Sequence, residues 1–368
     1  MQKTLCFDDV LLTPQYSEIE SRSLVDLSVS GFDDSVAKLL PNYPALTCPI
    51  VGSPMDTVIS DAAAAVLADL GGFGVLHRYC SIDDAKKAYE SFIRLMPSHF
   101  TSKDFPHVNS HNVMVAIGAT GDYMERTAEL YNAGCSAFCI DVAHGHHVSV
   151  KMALKALRDK YGKSIHIMTG NVATLDAFND LADWGSDSIR VGVGGGSMCS
   201  TRIRTGHGIP TLQSVMDCGK SDRDVYVIAD GGIRNSGDVV KALAAGADMV
   251  MLGSILSGHD ECPGDLVDDR GLTYKSSKPI GVPLFKKFRG MASREAQLQW
   301  RGRVSVVEGE STMVPYKGAM LNTLTDLLEG VKSGLSYSGA KTIRELRSKA
   351  RFVSVTPQGV LENRPHGK

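Results

Sequence analysis

The stretch Arg190-Val-Gly-Val-Gly-Gly-Gly-Ser-Met-Cys-Ser-Thr-Arg202 decides how this chain is read. A short apolar strand runs into Gly192, Gly194, Gly195 and Gly196, and then into a serine, a cysteine, a threonine and an arginine. Without Cβ atoms the backbone can approach a ligand closely, so the loop reads as a cradle for an ion or a polar group. Cys199 sets it apart from a phosphate loop. A thiol becomes a strong nucleophile where nearby cations or dipoles favour the thiolate, and Arg202 and Arg204 bring positive charge to the same loop. Taken alone, the stretch equally fits a flexible glycine turn beside a buried, inert cysteine.

The position of the loop in the chain bears on the fold. Apolar runs recur at Ala45 to Val51, Gly72 to Leu76, Val113 to Ile117, Ala137 to Ile140, Ile165 to Met168, Ile189 to Val193, Val225 to Ala229 and Met249 to Leu252. Between most of them lies helical spacing, as in Asp61 to Leu70, Tyr123 to Ala133, Val148 to Tyr161, Leu175 to Trp184 and Asp238 to Ala245. Continuous apolar strands alternating with helices mark a parallel sheet buried on both faces. An open doubly wound sheet carries its glycine fingerprint at the first turn, whereas here the glycines follow the sixth run. Eight units predict an α/β fold, a (β/α)8 TIM barrel, as one domain over residues 1–368. Turn signals at Pro14, Gly31 and Pro41 to Pro44 precede it. Residues 258–318 are polar with little periodicity and read as a mobile lid, and Leu321 to Arg351 returns to helical spacing that closes the barrel.

Thirty-nine basic side chains balance 41 acidic ones, which gives no footprint for nucleic acid or an anionic membrane. Eight cysteines without a Cys-x-x-Cys pair read as a reduced, intracellular chain. The first residues lack signal-peptide blocks and no apolar run reaches bilayer length, so the expected location is the cytoplasm.

Polar residues and glycines gather just after the strands, where a closed barrel places them on one rim. Barrels commonly bind phosphate with the loops after strands seven and eight; Gly231, Gly232, Gly253 and Ser254 are suitable donors there, although ordinary tight turns explain the same glycines. Asp230 is placed to accept from ribose hydroxyls and Asp141 to hold a cofactor amide or hydroxyl. His144 and His146 lack a third metal ligand and read as rim hydrogen-bonding or packing groups. Lys286, Lys287, Arg289 and Arg294 read as a solvated face.

Over nearly its whole length the chain resembles the family of IMP dehydrogenase and GMP reductase. The resemblance rests on Phe7-Asp-Asp-Val-Leu-Leu-Thr-Pro14, Ser53-Pro-Met-Asp-Thr-Val58, Gly170-Asn-Val-Ala-Thr174, the Gly-Ser-Met-Cys-Ser-Thr-Arg loop, Ala229-Asp-Gly-Gly-Ile233 and Arg289-Gly-Met291. It implies a homotetrameric barrel that binds a purine mononucleotide beside a nicotinamide cofactor. Cys199 would be the nucleophile at purine C2, Asp230 would hold the ribose, and Gly232, Gly253 and Ser254 the phosphate. Ser53, Met55, Gly231, Gly290 and Met291 would complete the substrate site. Asp141, Ala143, His144 and Asn171 would meet the cofactor. The backbone of Gly194, Gly196 and Cys199 would offer carbonyls to a monovalent cation such as K+, in a loop where Gly195 replaces the family's usual proline.

The two activities differ at the lid. Dehydrogenases carry a water-activating Arg-Tyr pair and a longer flap, with regulatory (CBS) domains inserted after the second strand; this chain has none of these. Its Glu308-to-Gly318 stretch and Ser257-Gly-His259 resemble reductases, which pair the loop threonine, here Thr201, with a glutamate that protonates departing ammonia. The usual spacing falls on Arg294, which leaves the neighbouring Glu295 as the expected glutamate. Ser53-Pro-Met-Asp and Gly231-Gly-Ile-Arg-Asn-Ser-Gly-Asp238 pull towards dehydrogenases. The resemblance therefore implies GMP reductase with NADPH, with IMP dehydrogenase and NAD as the alternative. A non-catalytic nucleotide-binding barrel, motivated by the displaced glutamate and by Gly195, is the third reading.

Overall fold

The computed structural model describes residues 3–29, 46–96, 112–274 and 281–363; the turn signals at Gly31 and Pro41 to Pro44, and Ala45 of the first run, lie outside the described residues. Eight parallel strands close into a barrel: β1 (Ile50–Gly52), β2 (Phe73–Leu76), β3 (Val113–Ile117), β4 (Ala137–Asp141), β5 (His166–Val172), β6 (Ser188–Val191), β7 (Tyr226–Asp230) and β8 (Met249–Leu252). Each expected apolar run overlaps one of them. Closure sets Ile50 opposite Val250 and Gly52 opposite Leu252.

The helices α1 (Asp61–Asp69), α2 (Ile82–Leu95), α3 (Tyr123–Asn132), α4 (Val148–Tyr161), α5 (Leu175–Asp183), α6 (Thr201–Thr205), α7 (Thr211–Cys218) and α8 (Ser236–Ala244) lie between the strands. Side chains of Ser60, Ser81, Thr174 and Asn235 accept backbone N–H groups at the starts of α1, α2, α5 and α8, satisfying donors that a helix start otherwise leaves open. Helix α2 is absent from the sequence expectation because charges dominate it, yet Ala85, Tyr89 and Phe92 share one buried stripe. The passage from β2 to β3, residues 77–112, is too short for an inserted domain.

The continuous apolar runs divide by the pleat. Val51, Val75, Met114, Cys139, Met168, Ile228 and Met251 belong to the cluster that fills the barrel, while Ile50, Val115, Phe138, Ile140, Ile189 and Val250 pack outward under the helices. Further along the strands the inward positions turn charged, with Asp141 on β4, Arg190 on β6 and Asp230 on β7.

The expectation of little regular structure over residues 258–318 is corrected. Strands β9 (Leu266–Asp268), β10 (Thr273–Tyr274), β11 (Leu284–Arg289) and β12 (Ser311–Pro315) form an antiparallel sheet in the order β10-β9-β11-β12, and α9 (Arg294–Arg301) lies between its last two strands in the chain. The tail supplies α10 (Met320–Tyr337) and α11 (Ile343–Lys349), as the spacing predicts. Among the described residues no helix is long and apolar enough to cross a membrane.

Gly74 lets α1 lie directly on β2, since a Cβ there would stand 2.8 Å from Ala64 Cβ and 2.9 Å from its Cα. The backbone atom cannot swing aside. Gly74→Ala is expected to cost about 1–3 kcal/mol, read as a lower urea midpoint at constant slope; an unchanged midpoint would contradict this packing.

Candidate active site

A cavity of about 270 Å³ opens at the C-terminal ends of the strands, lined from the loops after six of the eight and by Asn171 near the end of β5. Ser53, Met55, Asp141, Ala143, Asn171, Gly194, Gly196, Cys199, Thr201, Asp230, Gly231, Gly232, Gly253, Ser254, Gly290 and Met291 all contribute to its wall. Two expected residues do not. His144 is exposed beside His146, whose Nε2 lies 2.7 Å from Asp180 Oδ2 and whose ring stacks on Trp184 at 5.7 Å. Glu295 pairs with Lys287 and with Arg289 Nη1 at 3.4 Å, and its hydrogen bond with Lys287 holds the carboxyl below the usual range.

The carboxylate that does reach Thr201 is Glu308. Thr201 Oγ1 donates to Glu308 Oε2 at 2.6 Å and stands 3.2 Å from Cys199 Sγ as its acceptor. A thiol, a hydroxyl and a carboxylate thus form one line along which a proton can pass. The lid builds it. Pairing of Arg289 with Ser311 brings Gly290 N–H within 2.9 Å of the Glu310 carbonyl, and the chain before β12 then runs across the cysteine loop. There Ser200 N–H donates to the Glu308 carbonyl and Glu310 N–H to the Met198 carbonyl, both at 2.9 Å.

The lid cations expected on a solvated face are partly interior. Lys286 is buried, with Nζ donating to the Cys262 carbonyl at 2.6 Å, and buried Arg289 pairs with Asp56 from the loop after β1. The Arg289–Asp56 pair fastens the lid sheet to the barrel, because a buried cation left alone would be costly.

Opposite Cys199, Arg190 is buried, its Nη2 donating to Asp141 Oδ1 at 2.7 Å and its Nε lying 3.9 Å from Asp230 Oδ2. Asn171 Nδ2 donates to Asp230 Oδ2 at 2.7 Å and to the Gly192 carbonyl at 2.8 Å, while its Oδ1 is buried without a partner. Burial pushes the Asp230 carboxyl above its ordinary range, against the pull of Arg190 and Asn171. Arg78 Nε donates to the Asp141 carbonyl at 3.2 Å, and its guanidinium covers the Tyr79 ring at 4.8 Å. Among the described residues no cluster of three His, Cys, Asp or Glu side chains is suited to a metal ion.

A family model described as IMP dehydrogenase / GMP reductase domain matches residues 4–366. The chain belongs to this family. It is 36% identical to GMP reductase 1 of Mus musculus, over 96% of each chain. It is 34% identical to the inosine-5'-monophosphate dehydrogenase of Borreliella burgdorferi, over 99% of this chain and 97% of that one. A solved structure of a cysteine-to-alanine variant of GMP reductase from Trypanosoma brucei, in complex with guanosine 5'-monophosphate, superposes with a TM-score of 0.83 at 29% identity, covering 100% of this chain and 98% of the other. The family is one of oxidoreductases of purine metabolism that use NAD or NADP.

Sequence reasoning assigned no role to Glu308, Arg190, Tyr79 or Arg78. For Glu308 a signal existed, since a glycine directly follows the carboxylate as it does at Asp230-Gly231. Its partner is 107 residues away, so spacing alone could not join them.

Cys199 lines the cavity and is partly exposed, whereas burial raises the thiols of the other seven cysteines, to about 12 for Cys48, Cys135, Cys139 and Cys218. Limiting iodoacetamide is therefore expected to label Cys199 first, as read by peptide mapping. Preferential labelling at any other cysteine would contradict this.

Proposed function

We propose that this chain is a GMP reductase, converting GMP and NADPH to IMP, ammonia and NADP through a covalent bond between Cys199 Sγ and purine C2. The observation that carries the reading is the line from Cys199 through Thr201 to Glu308, in a lid whose residues from Gly290 to Gly318 contain no Arg-Tyr pair. Asp230 accepts from the ribose hydroxyls, and Gly232, Gly253 and Ser254 hold the phosphate. Cys199 gives its proton towards Thr201 as sulfur adds to C2. Glu308 returns a proton through Thr201 to the departing amine, a task suited to a carboxyl held within reach of the leaving group. A bound nicotinamide supplies the hydride that replaces the amine at C2. Cys199 then leaves as the thiolate, and one proton taken from solvent through Glu308 and Thr201 restores the thiol.

Asp141, Ala143 and Asn171 fit the cofactor side, because the buried, unpartnered Asn171 Oδ1 is an acceptor for an amide-bearing ring at the cavity wall. A monovalent cation has less support. The Gly196 carbonyl already accepts Cys199 N–H at 3.0 Å, and Arg202 holds the Val193 and Ile209 carbonyls. No step is assigned to such an ion.

The alternative, IMP dehydrogenase with NAD, is favoured by relatives of that name and by the Ser53-Pro-Met-Asp segment. The non-catalytic reading loses one of its two motives, because Glu308 fills the gap left by the displaced Glu295. Supplying GMP with NADPH is expected to consume nicotinamide absorbance. No loss with GMP, together with reduction of NAD when IMP is supplied, would reverse the two readings. Cys199→Ala is expected to abolish turnover, and Glu308→Gln to lower kcat by about 10²–10⁴-fold with KM little changed. Full activity in either variant would overturn the mechanism.

A further inference from the structure

We propose that Arg190 is a positioning residue that sets both binding carboxylates of the site at once, Asp230 for the nucleotide ribose and Asp141 for the cofactor. The inference rests on the roles given to those two carboxylates above. Its ground is geometric. Side chains from three strands of the barrel converge there, with Asp141 on β4, Arg190 on β6 and Asp230 on β7, and the guanidinium meets Asp141 Oδ1 at 2.7 Å through Nη2 and Asp230 Oδ2 at 3.9 Å through Nε. Its Nη1 points into the barrel, 3.7 Å from Cys139 Sγ and 4.0 Å from Met251 Sδ. Arg190 Nε is buried with no hydrogen-bond acceptor, so a small shift of Asp230 towards it closes the second bond.

Each carboxylate has other holders, but none serves both. Asn171 reaches Asp230 alone, at 2.7 Å, and Arg78 reaches Asp141 alone, with Nε 3.9 Å from Oδ2. The groups that act on the Asp230 carboxyl are Arg190, Asn171 and the like-charged Asp141, while Arg78 and Tyr79 meet Asp141. Arg190 is therefore the one of these groups that stands between two carboxylates that repel each other. A planar fork is suited to that position, where a point-charged ammonium spans one partner at a time.

Removing the guanidinium has a signature that simple loss of packing lacks. Burial already raises the Asp230 carboxyl and Arg190 opposes the rise, so without the cation the carboxyl protonates at higher pH and ceases to accept from the ribose. The sign follows: affinity for the nucleotide falls at the acid end and recovers as pH rises.

The test is equilibrium binding of GMP, and separately of NADPH, to the full chain across a pH series from mildly acid to mildly alkaline. Arg190→Met is expected to weaken GMP about tenfold or more at the acid end, with the loss shrinking towards the alkaline end. It is also expected to weaken NADPH. Arg190→Lys keeps the charge, returns the native pH dependence and retains a loss of severalfold for one of the two ligands. Unchanged affinities in Arg190→Met, or a loss equal at every pH that lysine does not recover, would overturn the proposal. If Arg190→Met does not accumulate, Arg190→Lys decides, and native affinity for both ligands overturns it. Asp230→Asn separates the ribose contact from its positioning. If it leaves GMP binding intact, the ribose role of Asp230 fails; if it abolishes binding while Arg190→Met changes nothing, only the bridging role of Arg190 fails.

Discussion

Two backbone hydrogen bonds hold the Cys199 sulfur in register. Ser200 N–H to the Glu308 carbonyl and Glu310 N–H to the Met198 carbonyl grip the residues on either side of Cys199, so its position is defined from both directions by the one stretch of lid that leads into β12. Each bond contributes only about 0.5–1.5 kcal/mol, so the precision comes from sterics as much as from energy. A Cβ on Gly290 would stand 3.0 Å from the Met198 carbonyl, and one on Gly309 would stand 3.0 Å from Ser293 N. Three segments distant in sequence meet because two of them lack a side chain at the crossing. The carboxylate of Glu308 arrives with the same contact that fixes the sulfur, so thiol and carboxylate are placed together.

That arrangement explains which parts of the site were legible in the sequence. The cradle, Asp230 and the glycines after the last two barrel strands all follow a strand directly, and once the barrel is inferred their rim position is forced by topology. The lid has no such rule. Glu295 follows Gly290-Met291 closely in sequence, but it starts helix α9 and its side chain turns towards Lys287, whereas Glu308 returns by antiparallel pairing that no local pattern announces. Arg190 stands at the head of the glycine loop with nothing local to mark its role, because whether a strand residue points inward depends on the pleat, and one apolar neighbour on each side looks the same either way.

The fold itself was readable because burial on both faces of a parallel sheet leaves unbroken apolar runs, and eight of them are hard to mistake. What escaped was structure without that signature. Helix α2 is rich in charge and buries only three residues fully, with Ala88 and Ile93 packed part-way against the core. The lid strands are short and mixed in polarity, with Lys286 buried among them because backbone carbonyls, not apolar neighbours, receive it. Polar burial satisfied by the main chain reads as surface in a composition-based view, and here it ties the lid sheet to the turn that leads into it.

Closure of the barrel joins Ile50 to Val250, 200 positions apart in the chain, and Ser53 N–H bonds to the Leu252 carbonyl at that junction. The first and last strands thus bring Ser53 and Ser254 to neighbouring strand ends on the same cavity wall. Until the ends of the sheet meet, that part of the wall does not exist, so any ligand that spans the junction works as a clasp that draws the ring shut.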